Sequence, residues 1–139
     1  EGVRRVRYVS PHPKDMNLET LQAMAETAAV CEHLHYPLQS GSDRVLSLMH
    51  RGYTAEKYLA RLAEARALIP DLAVTTDIIV GFPGETEEDF QQTMDVAAQA
   101  STGNGMPSIS ASCIRTAVAT TTIMAPVSCL SKLADAGCC

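Results

Sequence analysis

The 139-residue chain contains no tryptophan, and aromatic residues make up only 4% of it, so its core is expected to be aliphatic. No run approaches the roughly 18 apolar residues that a membrane-spanning helix needs. A secretory leader is not evident, because the first residues are charged and alternate with valine. Basic residues are not in excess: the net charge of −5 gives no global electrostatic footprint for nucleic acid. The local basic cluster of Arg4, Arg5 and Arg7 reads first as the solvated flank of a strand. Five cysteines are present (Cys31, Cys113, Cys129, Cys138 and Cys139), but none stands in a C-x-x-C or C-x-x-x-C-x-x-C spacing. They read as neither a disulfide framework nor a cluster site. The first residue is Glu rather than Met, which suggests a fragment, and a cytoplasmic setting is the default expectation.

What is present is an orderly alternation of elements. Residues 4–9 suggest a short strand, after which the prolines of Ser10-Pro11-His12-Pro13 impose an extended exit. Asn17 is placed to cap a helix over 18–29, with Leu18, Leu21, Met24 and Ala25 on one face. His33 to Leu38 reads as a second strand, with Gln39-Ser40-Gly41-Ser42-Asp43 as its exit loop and a helix beginning near Val45. Thr54 caps a helix over 55–69 whose apolar side is Tyr58, Leu59, Leu62, Ala65, Ala67 and Leu68. Leu72 to Val80 is a third strand. Thr86 then caps a last helix, with Asp89 as a shortened capping-box partner and Phe90, Met94, Val96 and Ala97 facing inward.

Three strand–helix units with short connections predict an α/β fold with a parallel sheet and right-handed crossovers. Three such units cannot close a barrel, so the expectation is about three βα units of a partial one. After Ala100 the texture changes to Ser, Thr, Ala and Gly without a durable period, and Asp135 is the single acidic residue from 101 to 139. Residues 1–100 are therefore expected to form the domain, and residues 101–139 an unmatched tail, either flexible or read out of frame.

Four segments occur together: Ser10-Pro11-His12-Pro13-Lys14-Asp15, His33 through Asp43, Met49-His50-Arg51-Gly52-Tyr53-Thr54 and Thr76 through Phe90. In this order and spacing the chain resembles the radical-SAM methylthiotransferases, most nearly their bacterial tRNA-modifying type. The resemblance covers about residues 2–100. It implies part of a TIM-like partial (β/α) barrel from an enzyme that adds a methylthio group to an N6-modified adenosine of tRNA. The implied cofactors are S-adenosyl-L-methionine (SAM) and two [4Fe–4S] clusters, whose cysteine ligands are not in this chain. The implied substrate is an isopentenyl-type adenosine next to the anticodon, with the threonylcarbamoyl type as the nearest alternative. A monomer without membrane attachment is expected.

The resemblance also suggests which residues would bind SAM. Gln39 and Ser40 stand at a strand's carboxyl end, where an amide and a hydroxyl can satisfy ribose or methionine groups. The plain alternative is a loop satisfying its own backbone. Arg51 offers a guanidinium suited to a carboxylate, or simply a charge near a helix end. Ile79 and Gly81 occupy the place of the superfamily's G-x-I-x-G-x-x-E adenine-binding strand, although Asp77 replaces its first glycine and Glu85 comes one residue late. Ile79 is equally an ordinary core residue by type.

His12, His33 and His35 tempt a metal reading, but sequence places no third ligand beside His33 and His35, and hydrogen-bonded strand histidines are the stronger reading. Glu87, Glu88 and Asp89 fit the helix dipole better than acid–base catalysis. Lacking cluster cysteines, the chain alone is expected to be inactive, with no catalytic residue of its own. Two further alternatives are a non-catalytic nucleotide-binding module and an unrelated aldolase-like barrel. The latter lacks a strand lysine for a Schiff base.

Overall fold

The computed structural model describes residues 2–9, 11–101 and 119–123. In chain order its elements are β1 (Val6–Val9), α1 (Leu18–Glu26), β2 (Val30–His35), α2 (Asp43–Leu48), α3 (Ala55–Leu68), β3 (Ala73–Ile78), α4 (Glu87–Ser101) and β4 (Ala119–Ile123). β1, β2 and β3 are parallel neighbours, and β4 pairs antiparallel with β3, giving the order β1-β2-β3-β4. The α/β alternation and parallel pairing match the expectation from sequence. β4 lies in the stretch expected to be a tail; the rest of that expectation, beyond Ser101, falls outside the described residues.

The boundaries shift for identifiable reasons. β2 starts at Val30 rather than His33 because Val6 pairs with Val30 and its N–H donates to the Ala29 carbonyl at 2.7 Å. That pairing takes residues 27–29 out of helix, so α1 closes at Glu26 with Thr27 already extended. Pro37 has no N–H to give to a ladder and the named strand stops at His35. The Asn17 and Thr54 caps are as expected, accepting from the N–H groups of Thr20 and Lys57, and Ser42, read from sequence only as exit loop, also caps a helix by accepting from Val45 N–H.

The helices cover one face of the sheet. Leu34, Val74 and Ile78 point to that side and form a core with Leu21 and Met24 of α1, Leu62 and Ala65 of α3, and Val96, Ala97 and Ala100 of α4. The core is not purely aliphatic, which corrects the expectation from composition. Tyr36, Tyr53 and Tyr58 are buried in it, and the Tyr36 and Tyr58 rings stack 4.6 Å apart. Each phenol finds a carbonyl, which is what allows a tyrosine inside. Tyr58 donates to Tyr36 O at 2.8 Å, Tyr53 to Leu38 O at 2.8 Å, and Tyr36 to Pro13 O at 3.4 Å. Ala25 and Ala67, expected on apolar faces, are exposed, and Leu18 is 45% exposed. On α4 the inward row is Asp89, Thr93, Val96, Ala97 and Ala100, while Phe90 and Met94 are half-buried.

β1 forms one edge of the sheet, and all four of its residues are exposed. Behind the other strand exits the packing is close. A Cβ on Gly41 would lie 2.5 Å from Thr93 Cα and 2.6 Å from Gln92 O, both backbone atoms of α4. Glycine is therefore required for the loop after β2 to lie on α4. Gly41→Ala is expected to destabilise the chain by about 1–3 kcal/mol through overpacking, read as a lowered urea midpoint with an unchanged m-value.

Candidate functional site

Parallel pairing gathers the carboxyl ends of β1, β2 and β3 at one edge, where ligands of open α/β sheets bind. Beyond β2 the chain touches β3 once more: Gln39 N–H donates to Asp77 O and Ile79 N–H donates to Gln39 O, both at 2.8 Å. Gln39 adopts a left-handed conformation with φ of +66°, uncommon for a side chain of its size. It is 9% exposed; among the described residues its amide makes no hydrogen bond, and the amide atoms are not sealed from solvent. Beside it Ile79 is half-buried. Two residues on, Gly81 has φ of +78°, and among the described residues nothing lies within 4 Å of the place a Cβ would occupy. The structure thus brings together Gln39, Ile79 and Gly81, and leaves open space against Gly81 for another molecule's close approach.

Ser40 stands in the same loop but is turned inward. It is fully buried, its hydroxyl pairs with Thr93 Oγ1 at 3.2 Å, and it accepts from Ser42 N at 3.2 Å. Gly41 N–H also donates to Thr93 Oγ1, at 2.9 Å. Ser40 therefore fastens the Gln39 loop to α4.

A second fastening centres on Asp89, which sequence assigned to the helix start alone. Its carboxylate is 4% exposed and accepts from Ser42 Oγ at 2.6 Å, Thr86 Oγ1 at 2.7 Å and Thr86 N at 2.9 Å. Arg44 grips it through Nε at 3.3 Å and also through NH2, which donates in addition to Gly84 O at 2.7 Å. The capping box is real, but the same carboxylate also ties α2 and the loop after β3 into one block. Arg44 first, then the hydrogen bonds of Ser42 and Thr86, hold the Asp89 carboxyl far below the usual carboxylate range. The signal for this block in the sequence was the Thr86–Asp89 capping box alone; that Ser42 and Arg44 share the same acid was not legible there. Within the loop, Glu85 Oε2 accepts from the N–H groups of Gly81 and Phe82. Glu85 reaches Gly81 even though it stands one residue late against the superfamily pattern.

Arg51 lies past α2, its N–H donating to Leu46 O at 3.0 Å, between the left-handed residues His50 (φ +55°) and Gly52 (φ +70°). Its Nε is buried without a hydrogen-bond partner. Tyr53, close behind, anchors this turn to the exit of β2, and burial pushes its phenol up to about 12. The His12 ring meets the Tyr53 ring edge-on at 5.6 Å, bringing the β1 exit alongside. Arg51 therefore belongs to the neighbouring turn rather than to the Gln39–Ile79–Gly81 contact itself.

The sheet face opposite the helices is polar. His35 Nδ1 lies 2.8 Å from Thr75 Oγ1 and its Nε2 lies 3.2 Å from Asp77 Oδ2, while Thr75 Oγ1 is 3.4 Å from His33 Nε2. Burial, then the charges of Arg7 and His35, push the His33 imidazole below its ordinary value of 6.5. These bonds make His33 and His35 hydrogen-bonded strand residues, as expected; among the described residues there is no group of three His, Cys, Asp or Glu that could hold a metal ion. Clefts of about 520, 400 and 310 Å³ lie elsewhere: behind β2's start by Arg5 and Cys31, at Ser42 and Asp89, and between Lys14 and Arg61. None of these three includes Gln39, Ile79 or Gly81.

Comparison with known proteins adds an independent finding. The model of the Radical SAM superfamily matches residues 1–97. A tRNA-2-methylthio-N(6)-dimethylallyladenosine synthase of Mycobacterium sp. (strain MCS) is 61% identical over 98 residues, which is 70% of this chain and 19% of that protein. Proteins of the same description from Saccharopolyspora erythraea and Corynebacterium efficiens are 59% and 60% identical over 100 residues, 72% of this chain and 20% and 19% of their own lengths. The chain thus spans about a fifth of the length of these relatives.

The Asp89 block has a pH signature. A carboxyl whose folded value is depressed contributes stability that is full above its ordinary value of 3.8 and is lost as pH falls toward the folded value. Asp89→Asn is therefore expected to lower the urea midpoint clearly at pH 7, and the gap to the unsubstituted chain should narrow below about pH 4. An equal gap at pH 7 and pH 3 would mean that the charge is not what matters.

Proposed function

The chain belongs to the Radical SAM superfamily, and from that premise we propose that it is part of a tRNA methylthiotransferase acting on C2 of an N6-modified adenosine next to the anticodon. In this reading residues 1–100 belong to the SAM-binding core, which agrees with the superfamily match ending at residue 97, and residues 101–139 are an unmatched tail. The description of the relatives favours the dimethylallyl substrate over the threonylcarbamoyl one. A monomer in the cytoplasm fits this reading, and no described helix is long and apolar enough to cross a membrane.

The observation that carries the proposal is the meeting of Gln39, Ile79 and Gly81 at adjoining strand ends. SAM fits the residues present. An unpartnered Gln39 amide can hydrogen-bond ribose or amino-acid groups, the half-buried Ile79 side chain offers an apolar surface for adenine, and Gly81 lets a ligand lie against the backbone. Arg51, with a buried and unsatisfied Nε, is suited to the carboxylate of the methionine moiety. Ser40 serves by holding the Gln39 loop on α4. Bound SAM would supply a methyl group and, on reduction, a carbon radical able to activate a C–H bond. The superfamily also implies a [4Fe–4S] cluster, and the proposal extends to a second one. The described residues do not fit a cluster: Cys31 is their one cysteine, and it stands in no ligand group. No step is therefore assigned to this chain through iron, and by itself it is expected to bind nucleotide without catalysis.

Replacing the matching segment of the Mycobacterium relative by this chain's residues 1–98 tests the function. The chimaera, reconstituted with iron, sulfide, SAM and reductant, should convert isopentenyladenosine-containing tRNA to its methylthio form, detected by mass spectrometry of nucleosides. A folded, iron-loaded chimaera without product would overturn the proposal. In the same protein Gln39→Ala should weaken SAM binding about fivefold or more, on the scale of one lost hydrogen bond; unchanged affinity would remove Gln39 from the site.

A further inference from the structure

The polar face of the sheet holds a hydrogen-bonded chain whose donors and acceptors fix one another. Asp77 Oδ2 can only accept, so the 3.2 Å contact requires a proton on His35 Nε2. With His35 neutral, its Nδ1 is then an acceptor and takes the Thr75 hydroxyl proton at 2.8 Å. Thr75 Oγ1 in turn is left to accept from His33 Nε2, 3.4 Å away. His33 Nδ1, at the far end, is a buried lone pair with no partner. Every bond in this row points the same way, from His33 towards Asp77.

The row ends directly beneath the strand-end site. Asp77 O is bonded to Gln39 N, and Ile79, one residue past the end of β3, donates its N–H back to Gln39 O. The side chain of Asp77 is 33% exposed and that of His35 only 16%, so the row is covered at His35 and opens at the carboxylate. Among the described residues 2–101 no group donates to Asp77 Oδ1, while Oδ2 is held by His35. A row satisfying only itself has no need of a carboxylate with one oxygen free.

We propose that Asp77, oriented by His35, is a further binding residue whose free oxygen accepts a hydrogen bond from a hydroxyl or amino group of a bound nucleoside. Thr75 and His33 act behind it as positioning residues that keep His35 in its Nε2–H tautomer. The inference rests on the nucleotide-binding reading of the strand ends. The same donor chemistry is offered by the adenosine of the cofactor and by the target adenosine of tRNA.

Two measurements test it. In the 139-residue chain, nitrogen-15 NMR of the imidazoles should show His35 as the Nε2–H tautomer, with a signal that moves in Asp77→Asn; the Nδ1–H tautomer would overturn the proposal whatever the enzyme does. In the chimaera, SAM and tRNA affinities are measured by equilibrium dialysis and filter binding for Asp77→Ala, Asp77→Asn and His35→Ala. Asp77→Ala should weaken one of the two ligands about tenfold or more, as expected for a hydrogen bond to a charged group. Asp77→Asn, which keeps an acceptor oxygen and the side-chain shape, should recover part of that loss. A loss confined to SAM assigns the cofactor, and one confined to tRNA assigns the target nucleoside. Unchanged affinity for both in folded Asp77→Ala and Asp77→Asn would overturn the inference. An unsubstituted chimaera without methylthio product but with normal SAM affinity would instead sink the functional reading, leaving the Asp77 comparison intact.

Discussion

The carboxylate of Asp89 is the constraint on which the strand-exit end of this fold depends. It is buried at the first turn of α4 and is met by Arg44, Ser42 and Thr86, so that α2, α4 and the loop after β3 converge on two oxygen atoms. A buried charge is costly unless it is paired and its remaining lone pairs are occupied. Here both conditions are met, and the arrangement becomes specific: moving any one of the three segments would strand a charge. Arg44 extends the same grip to Gly84 O, which fixes the loop carrying Gly81.

A second set of fastenings works from inside the core. The three buried tyrosines are long enough to start in the apolar layer and end on carbonyls of the strand exits at Pro13, Tyr36 and Leu38. Thr76 adds to them, accepting from Leu38 N at 2.8 Å. Strand-exit loops are usually the mobile part of an α/β fold. In this chain they are held on one side by phenols and on the other by the Asp89 block, and between these the Gln39 and Gly81 backbones take up left-handed conformations. Preorganisation of that kind lowers the entropy lost when a ligand binds.

The two faces of the sheet divide the work. Leu34, Val74 and Ile78 carry the packing against the helices, and the alternate residues His33, His35, Thr75 and Asp77 carry a polar row on the other side. In a partial barrel the second face is the interior, which explains why a short chain with few aromatic residues places ionisable groups in mid-strand.

Much of this was legible in the sequence, because the signals are local. Alternation and 3.6-residue periodicity announced the βα order, Asn17 and Thr54 capped the helices they precede, and the segments from Ser10 to Phe90 carried the family resemblance. The start of β2 at Val30 was not legible, since it depends on pairing with Val6 twenty-four residues earlier. Nor was the inward turn of Ser40, which depends on Thr93, or the burial of three tyrosines, which depends on carbonyls supplied by other loops. Sequence by itself determined which segments are strands and helices and which family they serve, because periodicity, caps and turn residues act within a few positions along the chain. Only the tertiary structure decided that Asp89 binds three segments and that Asp77 stands against His35, because hydrogen bonds between distant residues exist only once the sheet has set their register.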